Sequence, residues 1–459
     1  MKRLVRGDLA TTATGVVHLG LGAFFRAHGA LYIQEAVERS GGQWGVCGVS
    51  LRSPDQRDRL APQGFVYTAV CLSPDGRIPS CVHIVNDVLV ARENPEAVLN
   101  IMTDPAVKLV TLTVTEKGYC HVPSSGELNQ AHPDIVHDVA NSGVPLSAPG
   151  FIVEALARRH ASGDAPFTVL SCDNLPQNGE VARQVILTLA RMRSEELADW
   201  IGSQGAFPSC MVDRIVPATT TEDIDSLSVQ TGRFDASPVM HEPFRQWVIE
   251  DDFVQDSRPD LASVGVQLVS DVKPFELMKL RCLNGTHSAL AYLGFLAGHE
   301  TISEATADDV FARFIERMWE EEIVPSFAAP PNTDMSAYTR SLLERYRNPA
   351  IRHLTRQIAM DGSQKIPQRL LATISDNLCA GRSIHCLSLA VAGWVRYASG
   401  TDEQGVRIEI SDPLVDQFRK ISSRTLSATD TVVAFLQIAE IFPAQLANDP
   451  VFRGALIDA

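Results

Sequence analysis

Basic charge is in short supply: 40 Lys and Arg stand against 55 Asp and Glu, leaving a formal net charge of −15. A chain this acidic is not expected to grip nucleic acid or an anionic membrane surface across a broad face, although a few local cations suffice for one phosphate or carboxylate. No run of about 18 uninterrupted apolar residues occurs, so no transmembrane helix is expected. The start, MKRLVRGDLATTATGVVHLGLG, has basic residues but no apolar stretch leading to a small-residue cleavage site, and no signal peptide is read from it. The nine cysteines are dispersed, without a CxxC pair, and are expected to be reduced, mostly buried thiols of a cytoplasmic protein. The twelve histidines are scattered too; no local set has the spacing of three catalytic zinc ligands, so no metal is expected. The absence of a G-x-S-x-G elbow speaks against a Ser-His-Asp hydrolase.

What is present is enough apolar material, 45% of the chain against 21% charged, for a globular fold. A length of 459 residues exceeds one ordinary core and predicts two domains. Up to about residue 270 strand-like and helix-like segments alternate. Strands are expected over 15–19, 44–51, 107–114 and 167–171, with helices over 23–39 and 179–193. That alternation predicts an α/β unit with a parallel sheet. Beyond it the pattern is helical: Pro274 suits a first turn, and helices are expected over 279–296, 307–322, 335–346, 367–380 and 384–398. The expectation is a Rossmann-type dinucleotide-binding domain over 1–270 and a mostly helical substrate-binding domain over 271–459.

The first strand runs into Gly20-Leu21-Gly22 and then a helix. Glycines there let the backbone approach a pyrophosphate at a helix N-terminus. Phe25 stands where a third glycine is usual, and an ordinary structural turn explains G-x-G equally well. Arg26, one turn into the helix, is placed to reach a phosphate, or is a plain solvated arginine. After the second strand come Arg52 and Asp55. The carboxylate would bind ribose hydroxyls and select NAD, whereas the arginine would accept the 2′-phosphate of NADP, so NAD is expected with NADP left open.

The most informative segment is 274–287, PFELMKLRCLNGTH. At about 100° per residue, Glu276, Lys279, Asn284 and His287 share an arc of about 140° on a helix that is otherwise apolar. A dehydrogenase needs a group to take the alcohol proton and donors to steady the developing alkoxide. A lysine with a pKa lowered by burial does the first without metal, Asn284 can do the second, and Glu276 can relay the proton or tune the amine. The alternative is a helix with exposed Lys and Glu and an internally bonded Asn. Other polar residues follow strands or sit in loops. Asn174 is a second oxyanion donor or an Asx turn; Thr115 and Glu116 follow the third strand. Asp213, in VDRI, is functional or half of a buried ion pair. Lys365 holds a substrate oxygen or is a surface lysine.

These residues sit in segments that together resemble the polyol-specific long-chain dehydrogenases, the mannitol dehydrogenase family. The segments are HLGLGAFFRAH, TVTEKGYC, SCDNLPQNG, MVDRIVP, EPFRQWVIEDDF, MKLRCLNGTHSALAYLG and DGSQKIPQR, spanning residues 18–369. The resemblance implies a Rossmann-type domain, a helical domain and a cleft between them. It implies that Lys279 is the general acid/base, that Asn174 and Asn284 form the oxyanion pair, and that His287 and Lys365 position substrate. Glu276 and Glu116 match carboxylates near the catalytic lysine, and Asp213 an active-site wall. The cofactor implied is NAD, held by Gly20, Gly22, Phe25, Arg26, Arg52, Asp55, Thr115 and Glu116; the partner implied is a small sugar acid or polyol. A monomer or small homo-oligomer is expected.

The chain departs from the family pattern at Phe25, at Pro54 and at Gln357, where mannitol dehydrogenases can carry a substrate-contacting arginine. The runs QIAMDGSQKIPQR and GTDEQGVRIEISDP look closer to fructuronate reductases; Arg245 then offers charge to a sugar acid or is an ordinary surface or cofactor-side arginine. The expected reaction is therefore D-fructuronate to D-mannonate, with D-fructose to D-mannitol as the rival. A non-catalytic nucleotide-binding regulator would have no reason to keep Lys279, both asparagines and His287 together.

Overall fold

The computed structural model describes residues 2–122, 125–424 and 427–459. It divides into two compact units, the first ending at Lys273 and the second beginning at Pro274.

The first unit is built on five parallel strands: β1 (Thr14–Leu19), β2 (Gly45–Ser50), β3 (Val85–Val90), β4 (Leu109–Leu112) and β5 (Thr168–Ser171). Their order is β3-β2-β1-β4-β5. The chain lays strands to one side of β1 and then crosses to the other, so the direction of winding reverses between β1 and β4. Ligands bind at the carboxyl ends of strands at such a reversal. The sheet is buried on both faces, as a parallel sheet requires. Val17, Leu19 and Val49 face one core with Phe151, Ile152, Val185 and Ile186. Val16 and Val46 face the other with Ala30, Ile33 and Trp247. A smaller sheet adds β6 (Cys210–Asp213), β7 (Gln246–Glu250) and β8 (Gln267–Val269), with β7 antiparallel to β6 and parallel to β8.

The predicted helix over 23–39 is two helices, α1 (Ala23–Ala27) and α2 (Gly29–Ser40), with the break at His28, whose φ is −132°. The break is held by His28 Nε2, which pairs with the Gln246 carbonyl at 3.0 Å. Strands at Tyr67–Ser73 and Gly76–Val82 form a hairpin that the sequence reading did not separate from loop.

The second unit is helical. The expected helix over 335–346 is α-helical as Met335–Tyr346, and that over 384–398 as His385–Ala398. The latter starts on a buried carboxylate: Glu322 accepts from the amides of Cys386 and Leu387, both at 2.8 Å, where the helix presents unpaired N–H groups. Three other predicted helices are not uniform α-helix. Each contains a π segment: Lys279–Gly285, Met318–Ile323 and Pro367–Leu371.

Candidate functional site

In the first unit the glycine turn closes over the carboxyl ends of β1 and β4. Gly20 has φ +91°, and a Cβ there would lie 2.2 Å from the Thr113 carbonyl oxygen, so both its conformation and its surroundings demand glycine. Beyond it, Gly22 caps α1 without a side-chain hydrogen bond, and the nearest atom to a Cβ there is 3.8 Å away. Its backbone is thus open to a ligand. A tight turn, an exposed glycine at the start of a helix and a position at the reversal of strand order fit a dinucleotide pyrophosphate.

The wall beside this turn is the loop 113–119. Thr115 has φ +63°, a strained value for a β-branched residue. It is held there by Asp173, whose carboxylate accepts from the amides of Val114 (3.0 Å) and Thr115 (2.8 Å) and from the Tyr119 hydroxyl (2.8 Å). Burial pushes the Asp173 carboxyl up, against those three donors. Asn178 extends the hub: its side chain donates to the carbonyls of Asp173 (3.0 Å) and Cys210 (2.8 Å) and accepts from the Cys210 amide (2.9 Å). One cluster thereby ties together the carboxyl ends of β4 and β5 and the start of β6. Asn174 leaves this hub directly after β5, Asp213 lies buried at the end of β6, and Glu116 is exposed at the start of a short 3-10 turn. Asp173 and Asn178 lie within the quoted run SCDNLPQNG, but spacing alone does not tell a clamp from a ligand.

Two residues expected on the cofactor side and one expected to meet substrate are engaged by packing that the sequence does not announce. Phe25 is 1% exposed and stacks on the His18 ring at 3.5 Å, so it belongs to the floor of the turn. Burial takes His18 down to about 3, and the neutral ring bonds Thr111 (2.7 Å) and Thr113 (2.9 Å). Arg26 is 5% exposed, donates to the Ser237 carbonyl at 2.7 Å and lies over the Tyr67 ring, so it is a core arginine. Arg245 pairs with Glu35 through both guanidinium nitrogens and stacks on Tyr32 at 4.1 Å. That pairing takes up the charge offered to a sugar acid. Arg52 and Asp55 are exposed after β2, where either can meet a ribose.

In the second unit the helix at Lys273–Met278 passes into the π segment Lys279–Gly285 and then into the helix Thr286–Leu296. This revises the even 100° spacing assumed from sequence. On an α-helix Lys279 and Asn284 stand at opposite edges of the arc; a π turn has an i→i+5 step and brings residues five apart onto one side. The wide turn diverts backbone carbonyls, and side chains satisfy them. Trp319 Nε1 donates to Cys282 O (2.9 Å), as does Thr286 Oγ1 (2.6 Å), and Tyr346 Oη donates to Leu283 O (2.8 Å). Gly285 lets the π segment Pro367–Leu371 approach, since a Cβ there would sit 2.9 Å from Arg369 O. Glu276, Lys279 and Asn284 are half-buried along this stretch.

One turn on, His287 is buried against the rings of Tyr346 (5.3 Å) and His353 (4.6 Å). Its Nε2 and the Nδ1 of His353 are buried with no hydrogen-bond partner among the described residues. Burial, followed by His353, Arg369, Arg345 and Lys365, holds His287 well below the usual imidazole range, and burial with Lys365 takes His353 to about 4. Lys365 donates to the carbonyls of Ile358 (3.2 Å) and Met360 (2.6 Å). Its amine is lowered to about 8 by burial and by Arg369, with Asp361 and Asp412 pulling the other way. Arg369 donates to Ser288 Oγ at 3.1 Å. His353 and Arg369 were missed from sequence, because they enter from separate segments with no periodic relation to Lys279.

A doubly wound parallel sheet with a glycine turn at its reversal, joined in sequence to a helical unit carrying a half-buried lysine, defines a dinucleotide-dependent oxidoreductase. The comparisons agree. The model of the Mannitol dehydrogenase Rossmann domain matches residues 14–263, and that of the Mannitol dehydrogenase C-terminal domain residues 271–458. D-mannonate oxidoreductase of Escherichia coli (strain K12) is 44% identical, over 98% of this chain and 93% of that one. Mannitol 2-dehydrogenase of Pyrenophora tritici-repentis is 40% identical, over 95% and 77%. The structure of Pseudomonas fluorescens mannitol 2-dehydrogenase in ternary complex with NAD and D-mannitol superposes with a TM-score of 0.86 at 38% identity, over 99% and 93%. The chain belongs to the mannitol dehydrogenase family. Among the described residues, no helix is long and apolar enough to cross a membrane.

Proposed function

We propose that the chain is an NAD-dependent, metal-independent oxidoreductase interconverting a sugar-derived ketone and its secondary alcohol, with D-fructuronate and D-mannonate as the pair. The observation that carries the chemistry is the π turn, which sets Lys279 and Asn284 one step apart on one side of their helix. NAD, when bound at the Gly20 turn, takes or supplies the hydride. In alcohol oxidation the neutral Lys279 amine takes the hydroxyl proton; in reduction it returns it. The carboxamides of Asn284 and Asn174 donate to the oxygen as it gains charge. Glu276 relays the proton onward. His287, Lys365 and Asp213 hold the remaining substrate oxygens. Asp55 favours NAD by accepting from ribose hydroxyls.

The sugar-acid reading is supported by the cations gathered near His287. Lys365 and Arg369 are each bonded to neutral oxygens rather than to a carboxylate, and the open nitrogens of His287 and His353 add polar capacity beside them. A carboxylate is the group such a set recognises best. The relative at 44% identity is named for D-mannonate. The polyol reading is supported by the family resemblance to mannitol 2-dehydrogenases. Side-by-side oxidation of D-mannonate and D-mannitol decides between them. A kcat/KM for D-mannonate about tenfold or more higher, worth about 1.4 kcal/mol, is expected; the reverse ratio hands the site to the polyol, and inactivity on both sinks either substrate. Chelator-treated enzyme should keep its turnover, and a loss restored by zinc in the unaltered chain and in Cys120→Ser alike would overturn the metal-independent step.

A further inference from the structure

Sequence spacing reveals no set of metal ligands, but the fold assembles one in the first unit. Cys120, His132 and Asp134 bring one sulfur, one imidazole nitrogen and one carboxylate oxygen within 4.8 Å of one another. Two local structures bring them to this point. Cys120 ends the 3-10 turn Glu116–Tyr119 with φ +53°, its backbone pinned by bonds from its amide to Lys117 O (3.3 Å) and from the Asn129 amide to its carbonyl (2.8 Å). His132 is the N-cap of the helix Pro133–Ala140, and Asp134 lies in that helix's first turn. Among the described residues, none of the three side chains hydrogen-bonds another of them. His132 Nδ1 accepts from the Asp134 amide, at 3.2 Å, and the Asp134 carboxylate lies 4.0 Å from the Arg52 guanidinium. Arg52 has 74% of its side chain exposed, so that contact is weak and easily given up.

We propose that Cys120, His132 and Asp134 form a zinc site outside the catalytic machinery, with three protein ligands and a fourth position for water. The ligand types choose the ion. A thiolate with an imidazole suits zinc and excludes the harder magnesium and calcium, which want oxygen. Ligands bound to one tetrahedral zinc at about 2.0–2.3 Å stand roughly 3.3–3.7 Å apart, a small side-chain rotation from the present separation. On binding, the Cys120 S–H bond breaks, its proton leaves to solvent, and the S–Zn bond forms; His132 exchanges its long bond to the Asp134 amide for the metal, and Asp134 lets go of Arg52. The bound ion would fasten the end of the 113–119 loop to the helix Pro133–Ala140. This site carries no step of the proposed hydride transfer, and its test does not depend on that reading.

Cobalt is the probe, since a thiolate ligand gives Co²⁺ a charge-transfer absorption in the near ultraviolet. The full-length chain, stripped of metal by chelation and desalted, is titrated with Co²⁺ without oxygen. One equivalent should raise the band, and one equivalent of Zn²⁺ should bleach it. Cys120→Ser should remove the band while leaving the circular dichroism spectrum unchanged. Asp134→Asn, which keeps the thiol, should keep a band but weaken cobalt binding roughly tenfold or more, because even outer-shell partners of a metal are worth that. No band from the unaltered chain in excess cobalt overturns the proposal. So does an undiminished band in Cys120→Ser, which would assign the metal to another of the nine cysteines.

Discussion

Gly20 in the first unit and Lys279 in the second are both held by backbone geometry, but of different kinds. Gly20 occupies a left-handed turn that follows from the missing side chain, and Thr113 O fills the space a Cβ would need. Lys279 begins a π turn that no residue type encodes, stabilised at the diverted carbonyls by Trp319 and Tyr346 from other helices and by Thr286 just beyond the turn. The turn in the first unit is set by backbone stereochemistry, the setting of the lysine in the second by packing around an irregular helix. Irregular turns of this sort cluster at functional sites because they orient side chains that regular periodicity cannot.

Variants on each side can break the comparison. Lys279→Ala should have the largest effect, a fall in kcat of about 10²- to 10⁴-fold with NADH affinity retained, as steady-state rates and fluorescence titration would read. Unchanged turnover would remove Lys279 from the mechanism. Gly20→Ala should act in the first unit. Forcing a Cβ into a left-handed turn against Thr113 O should cost about 1–3 kcal/mol in denaturant unfolding and weaken NADH binding, with kcat at saturation less affected. A stable variant with native NADH affinity would mean that the turn does not touch the cofactor.

A subtler effect is expected from pH. Lys365 is lowered to about 8, so its charge is present below that pH and lost above it. If that charge meets a substrate carboxylate, kcat/KM for D-mannonate should decline as pH rises through about 8, while Lys365→Met abolishes the decline. A profile governed by Lys279 alone would be the same in both proteins. The smallest effect belongs to Arg245→Ala. Its partner is Glu35 at a half-exposed surface, so stability should fall by less than about 1 kcal/mol and KM for D-mannonate should not move. A large rise in KM would reinstate it as a substrate contact.

Much of the fold was legible because its signals are local. β1, β2 and β5 follow from short apolar runs, and the helix Met335–Tyr346 from its periodicity. The break at His28 was not legible, because its bond to Gln246 joins residues 218 apart. Arg26 and Phe25 look accessible by helical position, yet Tyr67 from a distant strand covers the first and His18 on the preceding strand the second. Asp173 stood in a run already marked for chemistry, but its hold on Thr115 depends on the pairing of β4 with β5.

By itself the sequence determined the alternation of strands and helices, the glycine turn and the identity of the polar groups around Lys279. Each is a property of neighbouring residues and the backbone that joins them. Only the tertiary structure decided which arginines are buried, how Lys279 and Asn284 are phased, and that His353 and Arg369 join His287. Those outcomes depend on which distant atoms fill a space or satisfy a carbonyl, and that is fixed only when the chain packs.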